Sequence, residues 1–121
     1  MLELFDYETA NAIFGSPDVT ITFTERDLKS PLLRSGFKVH LPNQWTVSVI
    51  WGFGSYTENN SGREIVSADA EMAAWDINHK WFSFGSDTVS GWHSVGDAKE
   101  FIAKIKAMPA TVKKAKKAKG L

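Results

Sequence analysis

The chain has 121 residues, of which 43% are hydrophobic and 23% are charged, a composition typical of one folded domain and not of a disordered chain. Its formal net charge is zero, but positions 1–100 hold fourteen acidic and seven basic residues, whereas positions 101–121 hold seven lysines and no acidic residue. An acidic body with a net charge of −7 is therefore joined to a basic C-terminal segment with a net charge of +7. The absence of cysteine excludes a disulfide framework, a thiolate nucleophile and a cysteine-ligated zinc site.

The N-terminal third predicts one short helix followed by two strands. The pattern of residues 1–16 is ambiguous, but a helix there would have an apolar side formed by Leu4, Phe5, Ala12 and Ile13. Residues 18–24 alternate apolar side chains with threonines, which is typical of a strand with one buried face. Residues 37–41 alternate in the same way, and Pro42 is expected to end this second strand.

The middle of the chain contains the clearest strand pattern. One predicted strand face carries the large apolar side chains of Trp45, Val47, Val49, Trp51 and Phe53. Residues 55–62 are polar and rich in turn formers, so they predict a surface loop. Residues 68–77 and 80–84 then predict a hairpin that turns at Asn78 and His79, and a loop leads on to the last element.

The strongest helix signal lies near the C-terminus. Ser94 is placed as an N-cap, and Asp97 three residues later resembles a capping box. The helix is expected to bury an apolar stripe formed by Ala98, Phe101, Ile102, Ile105 and Met108 and to stop or kink at Pro109. Together these elements predict an α+β domain over residues 1–108, with four to six mostly antiparallel strands and a C-terminal helix on one face, followed by a basic tail over residues 109–121.

No pattern of catalytic or metal-binding residues is present in the sequence. The three histidines fall in a predicted strand, a turn and a loop, without metal-ligand spacing. No nucleophile elbow, phosphate-binding glycine loop or dinucleotide fingerprint occurs. We therefore expect a protein without catalytic residues, metal or cofactor.

The aromatic residues allow two interpretations. Five tryptophans, eight phenylalanines and two tyrosines can fill the core of a small sheet, or some can form a second aromatic face that binds a partner. The predicted strand faces have too little room to bury every large ring on one side. The candidate partner-binding residues are Phe53, Trp75 and Trp81 among these rings, together with Tyr56, Asn59 and Asn60 of the predicted surface loop.

The tail is a dense block of lysines without arginine, a composition that binds phosphate groups without reading base sequence. The candidate polyanion-binding residues are Lys113, Lys114, Lys116, Lys117 and Lys119. Three other interpretations remain open: a solvated extension, a continuation of the helix beyond Pro109, and a contact with the acidic body of the same chain or of a second copy. Contact with the acidic body of a second copy would give a homo-oligomer held by charge pairing.

Three segments carry a resemblance to a known group of proteins: residues 45–59, residues 73–84 and residues 89–102. In sequence they read WTVSVIWGFGSYTEN, AAWDINHKWFSF and VSGWHSVGDAKEFI. They resemble small accessory proteins of tailed bacteriophages, which show VSVQFGxGxY, AxWDxxGxWxxF and VxGYxSPxEVxxFI patterns. The likeness spans about residues 45–105. This chain lacks the cysteine often found after the tyrosine, and it has Asn78 and His79 where a glycine turn is usual.

The resemblance implies a bacterial host cytoplasm, with which the absence of a secretory leader pattern and of an apolar run of roughly 20 residues agrees. We expect a binding protein that occupies a host or phage macromolecule, with a protein partner favoured because an acidic body suits basic, nucleic-acid-handling proteins. The alternative is a nucleic-acid-binding protein that uses its lysine tail. A third hypothesis is a protein that sequesters a small nucleotide against an aromatic ring near Phe53.

Overall fold

The computed structural model describes residues 4–23, 34–52 and 67–112. These residues form an antiparallel five-stranded sheet with two helices, which confirms the predicted α+β class and the C-terminal helix. The elements in chain order are α1 (Tyr7–Phe14), β1 (Thr20–Phe23), β2 (Arg34–His40), β3 (Thr46–Gly52), β4 (Ala70–Trp75), β5 (Ser90–His93) and α2 (Val95–Lys106).

The sheet is a meander in which each strand pairs with its neighbour in sequence, in the order β1-β2-β3-β4-β5. Because side chains alternate along a strand, the register assigns each residue to one of two faces. The inner face, which packs against the helices, carries Phe37, Val39, Val47, Val49, Trp51, Ala70, Met72 and Ala74, with Ile21 and Phe23 on the edge strand. The outer face carries Thr20, Thr22, Gly36, Lys38, His40, Thr46, Ser48, Ile50, Glu71, Ala73 and Trp75.

An aromatic cluster ties the N-terminal segment to the inner face. Phe5 is fully buried and exchanges two backbone hydrogen bonds with Ser67, at 2.7 and 3.0 Å. Its ring lies 6.2 Å from that of Phe14 and 5.9 Å from that of Trp51, measured between centroids. The side of α1 that faces the sheet is formed by Ala10 and Phe14. Of the predicted apolar side, Ile13 packs against the core and Phe5 is buried but precedes α1, whereas Leu4 and Ala12 are exposed.

Helix α2 begins as its sequence predicts. Ser94 Oγ accepts a hydrogen bond from the Asp97 backbone N–H at 3.1 Å, and Asp97 Oδ2 accepts one from the Ser94 backbone N–H at 3.1 Å. This reciprocal capping box satisfies donors that a helix start would otherwise leave without partners. The residues that α2 buries against the inner face are Val95, Ala98, Phe101, Ile102 and Ile105. The expected apolar stripe is therefore confirmed except at Met108, which follows the end of α2 and is partly buried.

The C-terminus of α2 is held by Asn43, which lies in the turn between β2 and β3. The Asn43 side chain is buried, and its Nδ2 donates to the carbonyl oxygens of Ile105 at 2.7 Å and Met108 at 3.1 Å. Its Oδ1 accepts from the Trp45 backbone N–H at 3.2 Å, and its own carbonyl accepts from Thr111 at 3.1 Å. The Asn43 side chain thus provides a hydrogen-bond acceptor for the turn and a donor for carbonyl groups that the end of a helix would otherwise leave without partners.

Strand β5 is the element that the sequence did not predict. Its pairing with β4 includes a register shift between Ala70 and Met72, and a bulge of this kind breaks the alternation by which strands are recognised. The predicted hairpin over residues 68–84 forms only in part, because after β4 the return strand contributes an isolated bridge between Trp75 and Trp81. In its turn, His79 has a φ of 61°, in the left-handed region where glycine is usual.

Candidate binding face

The structure brings two of the predicted partner-binding residues together. The ring centroids of Trp75 and Trp81 lie 4.9 Å apart with a tilt of 40°, and we call these two residues the Trp75–Trp81 pair. Trp75 is partly buried, whereas Trp81 is 46% exposed. The other candidates, namely Phe53, Tyr56, Asn59 and Asn60, and the tail lysines Lys113, Lys114, Lys116, Lys117 and Lys119, lie outside the described residues.

Asp76 builds the turn that sets the Trp75–Trp81 pair. Its carboxylate is buried, and Oδ1 accepts hydrogen bonds from the backbone N–H groups of Asn78 at 2.8 Å and Lys80 at 2.9 Å. The Asp76 backbone N–H donates to the Lys80 carbonyl at 3.0 Å. A buried carboxylate that accepts two backbone donors is a strong local constraint, so the chain reverses within five residues and returns Trp81 beside Trp75.

Polar and basic side chains share the outer face with the Trp75–Trp81 pair. The Lys38 ammonium lies 5.8 Å from the centroid of the Trp75 ring, within the range of a cation–π contact. His40 lies between two threonines, with Thr22 Oγ1 at 2.9 Å from Nε2 and Thr46 Oγ1 at 3.4 Å from Nδ1. The outer face therefore combines an exposed indole with a lysine and an ordered histidine, a mixture suited to flat or anionic ligands.

On the opposite side of the sheet, beside a groove, Ser90, His93 and Asp97 contact one another in the order of a catalytic triad. Ser90 Oγ lies 2.6 Å from His93 Nε2, and His93 Nδ1 lies 3.5 Å from Asp97 Oδ2. The groove has a volume of about 320 Å³, and its lining includes His93 and Asp97 but not Ser90. The same Asp97 oxygen also caps α2. We therefore interpret these contacts as a link between β5 and α2, and the expectation of no catalysis stays a prediction.

A second groove lies between α1 and α2. Its volume is about 330 Å³, and its walls include Phe14, Val19 and Ile102, with Lys99 and Lys106 at its polar edge. The Lys106 ammonium donates to Asp18 Oδ1 at 3.0 Å across this groove. The contact connects the segment before β1 to the last turn of α2.

The Asp18 carboxyl has a perturbed titration. The Ser16 hydroxyl, which donates to Oδ1 at 2.5 Å, and the Lys106 ammonium hold the pKa of Asp18 below its ordinary value. Because the pKa is lower in the folded than in the unfolded chain, the contact stabilises the fold above the unfolded-state pKa. That contribution is lost as the pH falls through the folded-state pKa.

Replacing Lys106 with Met is expected to raise the pKa of Asp18 only part of the way to its ordinary value, because the hydrogen bond from Ser16 is the larger cause and remains. The titration of the carboxyl carbon, followed by NMR, measures this shift. Lys99→Met removes another lysine from the same groove and should leave the Asp18 titration unchanged. Equal midpoints in wild type and Lys106→Met would contradict the assigned contact.

Among residues 4–23, 34–52 and 67–112, no group of three or more histidine, aspartate or glutamate side chains is arranged to hold a metal ion. In that part of the chain, no helix has the length and apolar content needed to cross a membrane.

Comparison with known proteins provides no relative from which a function could be transferred. No family model matches the sequence, and neither the curated proteins nor the solved structures include a match. Functional inference therefore depends on the residues and on their geometry.

Proposed function

We propose that this protein is a binding protein without catalytic activity of its own, which acts by occupying a host or phage macromolecule through its outer face. The observation that carries the proposal is the Trp75–Trp81 pair, with Trp81 46% exposed on a strand-to-strand turn and Lys38 beside Trp75. Tryptophan is enriched among the residues that contribute most of the binding energy at protein interfaces. The described part of the protein places neither helix over this face, because the helices pack on the inner side.

The phage accessory role and the bacterial host cytoplasm belong to the same proposal. They are supported by the resemblance over residues 45–105, which includes both members of the Trp75–Trp81 pair. A small protein that modulates its host by occupancy needs a contact surface and no reaction chemistry. The outer face provides such a surface.

A site-specific photo-crosslinker tests which face makes the contact. We expect the crosslinker at Thr20, exposed at the outer face, to capture a macromolecule in bacterial cells, and the same crosslinker at Ala12, exposed on α1, to capture none. Combining the Thr20 crosslinker with Trp81→Ala should abolish capture. Capture from position 12 alone would show that the partner binds the helix side and would refute the proposal.

A further inference from the structure

We infer that the macromolecule bound by the outer face is a single-stranded nucleic acid, with Trp81 as a stacking platform and the lysines of residues 113–119 as phosphate-binding groups. The inference rests on the proposed function and deepens it by naming the class of partner. It requires three features of the structure: an available ring, an outer face of suitable charge near that ring, and an exit point of the tail beside it.

The ring requirement is met by Trp81. Trp75 contacts both Lys38 and Trp81, so its partly buried ring packs against the more exposed Trp81 indole and restricts the movement of that indole. Trp81 is 46% exposed in a turn anchored by the buried Asp76. An indole that is held in place yet open to solvent gives a base a flat surface on which to stack, without the entropic cost of ordering a mobile side chain.

The charge of the outer face is favourable around Trp75 although the body of the chain is acidic. Lys38 and His40 lie on the same face as Trp75, and His40 is opposite Thr46 in the row that ends at Trp75. Among the described strand positions of this face, the acidic residue is Glu71, paired with Ile50. Trp75 is four positions after Glu71 along β4, which corresponds to about 13 Å. A phosphate group near Trp75 therefore meets the Lys38 ammonium, whereas the carboxylate of Asp76, the next residue, is buried and accepts backbone N–H groups of its own turn.

The exit point of the tail lies beside the same turn. After α2 the chain crosses the end of the sheet, where the Thr111 N–H donates to the Asn43 carbonyl at 3.1 Å. Asn78 Nδ2 then donates to the Val112 carbonyl at 3.0 Å. Asn78 is three residues from either tryptophan, which is at most about 11 Å of extended chain. The five lysines of residues 113–119 start at the next position, and seven residues span at most about 25 Å.

The combination favours a single strand over a duplex. Bases in a duplex are stacked on each other, whereas an unpaired base can turn its face to an indole. Lysines neutralise phosphates as point charges, and the tail lacks the arginines that read base edges in pairs of hydrogen bonds. Binding is therefore expected to tolerate any base sequence and to depend steeply on salt.

The test measures the affinity of the full chain for single-stranded DNA and RNA of about 15 nucleotides by fluorescence anisotropy over a range of salt concentrations. Trp81→Ala should weaken binding about ten- to hundredfold, because one stacking platform is lost. Phe23→Ala is the matched control: Phe23 is similarly exposed, at 41%, but pairs with the core residue Phe37 on the inner face. It should leave the affinity unchanged.

Two further variants separate stacking from charge. Replacing all five lysines Lys113, Lys114, Lys116, Lys117 and Lys119 with Gln should reduce the slope of log affinity against log salt by about 3.5. Lys38→Gln should reduce that slope by about 0.7, and it tests the outer face independently if Trp81→Ala fails to fold. Circular dichroism identifies a variant that has not folded.

Three results would overturn the inference: no binding of either oligonucleotide at low salt, equal affinity of folded Trp81→Ala and wild type, or a duplex bound as tightly as a single strand. If the oligonucleotides fail to bind but the Thr20 crosslinker still captures a protein, this inference is wrong and the proposed function stands. If the oligonucleotides do not bind and the Thr20 crosslinker captures nothing, both this inference and the proposed function are wrong.

Discussion

Replacing Phe5 with Ala should lower the free energy of unfolding by about 3–5 kcal/mol, the usual cost of removing a buried phenylalanine ring. Phe5 is fully buried against Phe14 and Trp51, so its loss leaves a cavity in the centre of the inner face. Its two backbone hydrogen bonds with Ser67 remain available to alanine, so the substitution reports the side chain alone. Urea denaturation followed by circular dichroism measures the change.

The neighbouring residue is the control for this experiment. Leu4 is 39% exposed, and Leu4→Ala should cost less than about 1 kcal/mol because little apolar area is buried there. Because a domain of this size has a total stability of about 5–15 kcal/mol, Phe5→Ala should leave a large unfolded fraction at moderate urea concentrations. Equal midpoints for the two variants would mean that the N-terminal segment does not complete the core.

Replacing Asn43 with Asp should destabilise the fold by more than replacing it with Ala. Asn43→Ala leaves the Ile105 and Met108 carbonyls without their side-chain donor, at a cost of about 1–3 kcal/mol. Aspartate keeps an acceptor for the Trp45 N–H, but it places a negative charge against those carbonyls, at the negative end of the helix dipole. Charge repulsion then adds to the loss of the donor.

The pH dependence of Asn43→Asp distinguishes charge from shape. The carboxyl at position 43 is expected to have a raised pKa in the folded chain, since its neutral form can donate to a carbonyl. The variant should therefore recover stability relative to wild type as the pH falls from about 7 towards about 4, near the ordinary pKa of aspartate. Asn11→Ala, which removes the same side chain from an exposed position of α1, should change stability by less than about 0.5 kcal/mol. A pH-independent penalty would contradict the assigned role.

The predictable part of the fold is the part whose signals are local. The capping box of Ser94 and Asp97 involves groups only three residues apart in sequence. The alternation of apolar and polar residues along β3 likewise predicts that Val47 and Val49 face the core, where both are buried. The role of Asn43 carries no such signal, because the carbonyl of Ile105 is 62 residues away in sequence. A lone Asn after Pro42 reads only as a turn.

The candidate site was predictable only as a set of residue types. The excess of tryptophan indicates that some rings lie outside the core, and it makes Trp75 and Trp81 candidates for such positions. The contact between the two rings depends on the five-residue turn built by Asp76. It also depends on the isolated β-bridge between Trp75 and Trp81, which is too short to produce a strand pattern in the sequence. The exit of the tail next to them depends on a hydrogen bond between Asn78 and Val112, which joins two segments with unrelated sequence patterns.

The order of the meander also determines when each part of the molecule can be completed during synthesis. Every strand pairs with a neighbour in sequence, so the sheet consists of comparatively local contacts and can form rapidly. Its inner face, however, is covered in part by α2, which begins only at Val95. A nascent chain that has not yet released α2 from the ribosome leaves uncovered Met72, which lines a groove together with Phe101 of α2, and exposed apolar surface of this kind promotes aggregation.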